Sequence, residues 1–206
     1  MTRLIWFAFL VGCAASTPAP RATTGSTSSS MATLAGRRAQ LVGWLHDYRM
    51  AGVFPKDGGG RPASVFVDAN GVRCPMAELV YRSGRADLVE AVQRENNAVR
   101  LADVHAGALF DWMLASGLTQ EEIAMVQGAM NIEYGNNFLI LGGDAQQLAV
   151  EQAEVRGQLQ MAEAALRQAT GASLAIAAER LPTADVRSLA ATPIGDHQLL
   201  AVAHVN

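Results

Sequence analysis

The side chains of this sequence that could carry out chemistry are few, and the first to consider are its two cysteines, Cys13 and Cys74. A cysteine thiolate becomes a nucleophile when a base lies beside it, and His46 or His105 could supply that base for Cys74. Such pairs assemble in space, so the spacing of these residues in the chain neither supports nor excludes a Cys/His site. We predict that Cys74 is buried and unreactive, because it falls on the apolar side of a predicted hairpin.

Metal binding is the second chemistry that short polar motifs suggest. His46-Asp47 and Asp103-x-His105 each offer two ligand types. Neither is accompanied by a His-x3-His pair or by paired cysteines, which are typical of transition-metal sites. The glycine-rich segments at 58–60 and 142–143 do not match the GxxxxGK[ST] phosphate-binding pattern. We therefore interpret the polar pairs as surface residues and expect no metal, no cofactor and no enzymatic activity.

Cys13 directly follows a short apolar segment. Arg3 precedes the nine-residue run LIWFAFLVG at residues 4–12. This run is too short to span a bilayer core, which requires about 20 helical residues. It has the length of the hydrophobic part of a secretory signal. The residues that end it, Leu10-Val11-Gly12-Cys13, resemble the lipobox of bacterial lipoproteins.

The lipoprotein resemblance implies how the N-terminus is processed. Lipid would be attached to the Cys13 thiol, the chain would be cut after Gly12, and the new amino group would be acylated. Several acyl chains anchor a protein stably, whereas one binds membranes weakly. An aspartate after the cysteine tends to retain such proteins in the inner membrane of diderm bacteria. Ala14 occupies this position, so the resemblance favours the outer membrane.

Residues 14–30, AASTPAPRATTGSTSSS, contain no large apolar side chain. Such a segment cannot bury enough surface to order itself, and we interpret it as a flexible stalk. Its length corresponds to a mean span of about 20–25 Å. If Cys13 carries lipid, Cys74 has no partner in the chain and must be buried, paired with another chain or reactive.

Composition and charge bear on nucleic-acid binding. Residues 117–128, GLTQEEIAMVQG, resemble the opening of a phage-repressor helix-turn-helix domain. No suitable second helix follows Gly128, and the net charge of -3 comes without a basic stripe. We therefore expect no nucleic-acid partner. The segment is better explained as a structural helix with Thr119 as N-cap, Glu122 completing a capping box, and Leu118 and Ile123 forming a hydrophobic staple.

The body, half of whose residues are apolar, is predicted to be a compact, mainly α domain. A stripe of Leu34, Leu41, Leu45 and Tyr48 predicts a helix over 32–51. A hairpin over 64–74 follows, with Asn70-Gly71 as a two-residue turn that pairs Asp68 with Arg73 and Val67 with Cys74. Further helices are expected from 75, 88, 109 and 119. A long helix spans 144–170, with Asp144 as N-cap. Shorter helices cover 172–181 and 183–191, split at Pro182, and a strand or a helix ends the chain at 198–205. The apolar stripe of the long helix consists of Leu148, Val155, Leu159, Ala162, Leu166 and Ala169.

These expectations divide the chain into four parts: a signal peptide at 1–12, a lipidated cysteine and stalk at 13–30, a helical domain with a hairpin at 31–135, and a long helix with a C-terminal segment packing on it at 136–206. The leading hypothesis is a membrane-anchored, non-enzymatic interaction component of an envelope protein assembly, with the helix at 144–170 as docking element. The alternative is a tethered module that binds a glycan or peptide in a concave apolar pocket. The third hypothesis is an enzyme with a Cys/His site. Trp44 and Trp112 lie near the edges of apolar stripes, which suits either core packing or a contact patch.

Overall fold

The computed structural model describes residues 24–131, 145–181, 186–194, 199 and 201–202. The fold is mainly α, as the sequence predicts. The described elements are α1 (Thr24–Ala51), α2 (Pro75–Arg82), α3 (Ala86–Asn96), β1 (Val104–Ala106), α4 (Ala108–Ala115), α5 (Gln120–Gly128), α6 (Ala145–Gln168), α7 (Thr170–Glu179), α8 (Val186–Ala190) and β2 (Ala201–Val202). The signal segment and Cys13 lie outside the described residues.

Helix α1 is the element around which the other helices are arranged. Its predicted apolar stripe is buried at all four positions, Leu34, Leu41, Leu45 and Tyr48. The helix contacts α2, α6, α7 and α8. It begins at Thr24, so residues 24–30, which the composition assigned to the stalk, belong to the helix.

Loop 64–74 forms one isolated bridge, and the predicted register is wrong. Val67 bridges to Arg73 rather than to Cys74, and the Asp68 N–H donates to the Val72 carbonyl at 2.9 Å. The turn therefore has three residues and ends at Gly71, whose φ is +78°, a type I turn followed by a left-handed glycine. The Asp68 carboxylate favours this turn because it accepts the N–H groups of Asn70 at 2.8 Å and Val72 at 2.9 Å.

Helix α5 begins as the sequence predicts. The Thr119 hydroxyl accepts the Glu122 N–H, and the Glu122 carboxylate accepts the Thr119 N–H. Leu118 and Ile123, the predicted hydrophobic staple, are both buried. The box satisfies two N–H groups that a helix start would otherwise leave unpaired.

The C-terminal part of the chain shares the core of the first part. Helix α6 packs on α1 and α5, whereas α7 and α8 make their most extensive contacts with α1 and α4. The predicted N-cap of α6, Asp144, and the predicted break at Pro182 lie outside the described residues. Val202 pairs antiparallel with Val104, so residues 201–202 form a short strand, and most of the predicted segment 198–205 lies outside the described residues.

None of the described helices is both long enough and apolar enough to cross a membrane.

Candidate functional site

A cavity of about 430 Å³ lies where α1, α4, α8 and the α2–α3 junction meet. Four of its residues come from one face of α1, at positions 37, 40, 41 and 44, because residues three, four and seven apart lie on the same side of a helix. The other walls come from segments far away in sequence. Among the described residues, the lining consists of Arg37, Gln40, Leu41, Trp44, Arg82, Ser83, Arg85, Trp112, Ser116, Arg187, Ala190 and Ala191.

Two tryptophans contribute the aromatic surface of the cavity. Trp112 is 2% exposed, and its indole N–H donates to the Ser83 hydroxyl at 2.8 Å. The Ser83 hydroxyl in turn donates to the Val80 carbonyl at 2.6 Å. Trp44 is half-buried and packs against the core. The ring of Trp112 is therefore fixed as a wall, since its one hydrogen-bond donor is already used.

Arg85 fastens α8 to the start of α3. Its guanidinium donates to both carboxylate oxygens of Asp87, at 2.9 and 2.8 Å. It also donates to the Ala190 and Thr192 carbonyls, both at 2.9 Å. The hydrogen bond from Arg85 is the main cause that holds the pKa of Asp87 below its ordinary value of 3.8. Arg85 thus fixes the shape of the cavity wall.

Arg82 lies at the edge of the same cavity, above the ring of Trp44. Its guanidinium carbon is 5.2 Å from the ring centroid. It donates to the Asp47 carboxylate at 3.2 Å and to the Trp44 carbonyl at 3.5 Å. The Asp47 side chain is 59% exposed, so this ion pair faces solvent. Arg82 therefore combines a cation–π position with a weakly held partner.

Charge in the cavity is of one sign. Arg37, Arg82, Arg85 and Arg187 line it, and none of the described residues that line it is aspartate or glutamate. The Arg37 guanidinium donates to the Ala115 carbonyl at 3.4 Å. Apolar rings together with convergent hydrogen-bond donors are the usual make-up of a small-molecule site.

Cys74 is buried, as the sequence predicts, although the reason differs. It is 2% exposed and caps helix α2, since its sulfur accepts the Ala77 N–H at 3.4 Å. Burial raises the pKa of the Cys74 thiol to about 12. The thiol is therefore protonated at neutral pH and a poor nucleophile.

The two candidate bases make other contacts. His46 Nδ1 lies 3.1 Å from Glu163, and His105 Nδ1 lies 2.8 Å from the Asp103 carbonyl. The structure therefore does not bring either ring into a pair with Cys74. Asp47 and Asp103 pair with arginines instead, Asp47 with Arg82 and Asp103 with Arg100. Within the described ranges, no group of three or more His, Cys, Asp or Glu side chains is arranged to hold a metal ion.

Glu163 is the centre of a polar cluster between α1 and α6. It accepts hydrogen bonds from His46, from Arg49 at 3.1 Å and from Arg167 at 2.9 Å. Desolvation raises the pKa of Glu163, but the hydrogen bonds from Arg167, Arg49 and His46 outweigh it and hold the pKa below 4.5. The cluster ties two helices together, and its carboxylate is held by two arginines and a histidine.

The cavity could not be predicted from the sequence. Trp44 and Trp112 were candidates for a contact patch, but nothing local indicates that the two residues line one cavity. The 37, 40, 44 spacing on α1 could have marked a polar-aromatic face next to the core stripe, whereas Arg82, Arg85 and Arg187 carry no local signal. Comparison with models of known protein families, with curated proteins and with solved structures found no match.

Proposed function

We propose that this protein is a bacterial envelope lipoprotein, anchored through Cys13, whose helical body is a non-enzymatic ligand-binding module. The observation that carries the binding role is the cavity that Trp44 and Trp112 line together with hydrogen-bond donors from α1, the α2–α3 junction and α8. Its volume of about 430 Å³ lies in the range of small-molecule sites. Of the three hypotheses drawn from the sequence, this proposal takes the alternative, a tethered ligand-binding module.

The proposed membrane anchor rests on the resemblance of residues 10–13 to a lipobox and on the stalk-like composition of the residues that follow. With Ala14 after the cysteine, we place the anchor in the outer membrane. Expressed in a diderm bacterium with a labelled fatty acid, the protein should take up label that Cys13→Ala abolishes. Cys74→Ser is the matched control and should keep the label. Undiminished label in Cys13→Ala would refute the anchor.

The binding role is tested by thermal unfolding of the full chain in the presence of peptidoglycan fragments, sugars and short peptides. A ligand that binds only the folded state raises the melting temperature. We expect at least one of these compounds to do so. Trp44→Ala should abolish the increase because it removes a cavity wall, whereas Met161→Ala, on the outer face of α6, should retain it. If no compound stabilises the protein, or if Trp44→Ala has no effect on the stabilisation, the module is not a binding site of this kind.

A docking role is the second candidate, and one feature of α6 favours it. Of the predicted stripe, Val155, Leu159, Ala162 and Leu166 are buried inside the protein, whereas Leu148 and Ala169 are only partly buried. Val150 and Met161 are 56% and 67% exposed, and eleven residues bring them back to the same face of the helix, about three turns apart. A photo-crosslinking residue at Met161 should give a discrete adduct in cells that the same residue at exposed Glu90 on α3 does not. Equal yields at both positions would exclude a docking face on α6.

A further inference from the structure

We infer that the cavity between Trp44 and Trp112 takes a small molecule that carries a carboxylate or phosphate next to a flat apolar group; this inference rests on the proposed binding function. The first support is charge. Four arginines line the cavity, and none of its lining residues in the described part of the chain is acidic, although the chain as a whole carries a net charge of -3. The concentration of one sign at one concave place is therefore a local property of the site.

The chemistry of the donors points to an oxyanion. The planar guanidinium presents a fork of N–H groups that matches the two oxygens of a carboxylate or phosphate. Arg85 is already engaged by Asp87 and two carbonyls, so its role is to hold the wall. We assign the direct ligand contact to Arg82 of α2, and Arg37 of α1 and Arg187 of α8, which have partners of their own, add positive charge to the same cavity.

Arg82 can rearrange at low cost because its ion pair faces solvent. Its carboxylate partner Asp47 is not among the residues that line the cavity, and that side chain is 59% exposed. A solvent-facing pair of this kind contributes little stability. A ligand oxyanion can thus share or replace Asp47 while the guanidinium stays over the Trp44 ring.

The apolar half of the ligand follows from the two rings. Trp112 is fixed by its hydrogen bond to Ser83 and has no further donor to offer, so it recognises shape and not polarity. Trp44 presents a second ring in the same cavity. Aromatic walls of this kind pack best against a flat group in an offset or edge-to-face arrangement.

The tryptophans also supply the readout. The sequence has three, at positions 6, 44 and 112, so in a full-length Trp6→Phe protein all tryptophan fluorescence comes from the cavity. We would titrate it with phenylphosphate, phenylacetate and the neutral phenylacetamide. The two anions should quench the fluorescence saturably and bind at least about tenfold more tightly than the amide, since a hydrogen bond to a charged group is worth roughly one such factor or more.

Variants connect the binding to the assigned residues. Arg82→Gln and Arg187→Gln should each weaken phenylphosphate binding at least about fivefold, whereas Arg94→Gln, an exposed arginine of α3 outside the cavity, should leave it unchanged. Phosphatidylglycerol vesicles identify the source of the anion. Quenching by vesicles that Arg82→Gln abolishes assigns a lipid headgroup, and quenching by the soluble probe alone assigns a free solute.

The outcomes separate the two proposals. If the amide binds as tightly as the anions, or if Arg82→Gln and Arg94→Gln behave alike, the anionic ligand is refuted while the binding module stands. If neither the anions nor the amide quench the fluorescence, the anionic ligand is refuted, and the fate of the module is then decided by the thermal-unfolding experiment with sugars and peptides.

Discussion

Arg38 is the most deeply buried charge among the described residues, with 1% of its surface exposed. Its guanidinium donates to both oxygens of Glu122, at 2.7 and 2.6 Å, and to the Gly117 and Leu166 carbonyls. The Ser173 hydroxyl completes the coordination of the carboxylate at 2.7 Å. One ion pair thereby links α1, α5, α6 and α7. Removing one partner would strand a charge in the interior, which costs far more than the pair itself contributes.

We expect Glu122→Leu to lower the free energy of unfolding by about 3–5 kcal/mol, because Arg38 is left buried and unpaired. The double variant Arg38→Met, Glu122→Leu should recover part of this loss, since it removes both charges. Urea unfolding followed by circular dichroism measures both. A double variant that is less stable than Glu122→Leu would contradict the view that the stranded charge causes the loss.

Two glycines with similar backbone angles allow a steric effect to be isolated. Gly117 has φ +77° and Gly84 has φ +88°. A Cβ at Gly84 meets nothing within 4 Å, whereas a Cβ at Gly117 overlaps the Leu34 carbonyl of α1. Gly84→Ala should cost about 1–2 kcal/mol from the left-handed conformation alone, and Gly117→Ala should cost more. Equal losses in urea unfolding would show that α1 moves aside freely.

The difference between what the sequence predicts and what it does not is clear at these residues. Thr119 and Glu122 were identified because both partners of a capping box lie within one helical turn. Arg38 was not, because its partner is 84 residues away and no local pattern distinguishes it from a surface arginine. Contacts between residues within one helical turn can be predicted from the sequence, whereas an ion pair between distant residues can be identified only from the three-dimensional structure.

At the scale of elements, the helices were predicted because their apolar stripes repeat with the helical period. The register of the turn at 68–72 was not, because the choice between a two-residue and a three-residue turn depends on the Asp68 carboxylate. That side chain accepts the backbone N–H groups of Lys56, Asn70 and Val72. Desolvation raises the pKa of Asp68, but these bonds outweigh it and hold the pKa below 3.8. The hydrogen bond from the Lys56 N–H could not be predicted from the residues next to Asp68, because Lys56 lies twelve residues earlier in the chain.

Helix α8 has only five residues, too few to be stable alone, so its order depends on its contacts. We expect Arg85→Gln to raise hydrogen exchange at residues 186–191 by about tenfold or more, because bonds to the Ala190 and Thr192 carbonyls are lost. Arg94→Gln serves as the control with unchanged exchange. Protection of this segment that survives Arg85→Gln would show that apolar contacts alone hold α8.

For the molecule as a whole, acid should be destabilising. The folded pKa values of Asp68, Asp87, Glu122 and Glu163 all lie below their ordinary values of 3.8 and 4.5. A group whose pKa is lower in the folded state stabilises the fold above its unfolded pKa and loses that contribution as pH falls through the folded value. The free energy of unfolding should therefore decline steadily below a pH of about 5.

Urea unfolding at a series of pH values measures this slope. Glu163→Gln should be less stable than the wild type at neutral pH and should show a shallower decline in acid, because one of the four titrating groups is gone. A parallel decline in both proteins would mean that the interactions of Glu163 with His46, Arg49 and Arg167 do not couple protonation to folding.

The candidate site is a property of the whole molecule, which is why the sequence did not reveal it. Its walls come from residues 37–44, 82–85, 112–116 and 187–191, and each segment looks like ordinary helix surface or helix end. The convergence of Trp44 with Trp112 depends on how α1 and α4 are placed by the shared core. A binding site that is built from distant segments, with no sequence motif of its own, can be recognised only in the folded structure.

The position of α1 has a mechanical consequence. In the envelope location that we propose, the tether leads into the helix that carries Arg38. A pulling force on the anchor would then act directly on α1, which is held by its contacts with four neighbouring helices. Because Arg38 on this helix is paired with Glu122 in the interior, we expect the domain to stay folded under force until this ion pair breaks. We then expect it to unfold in one abrupt step.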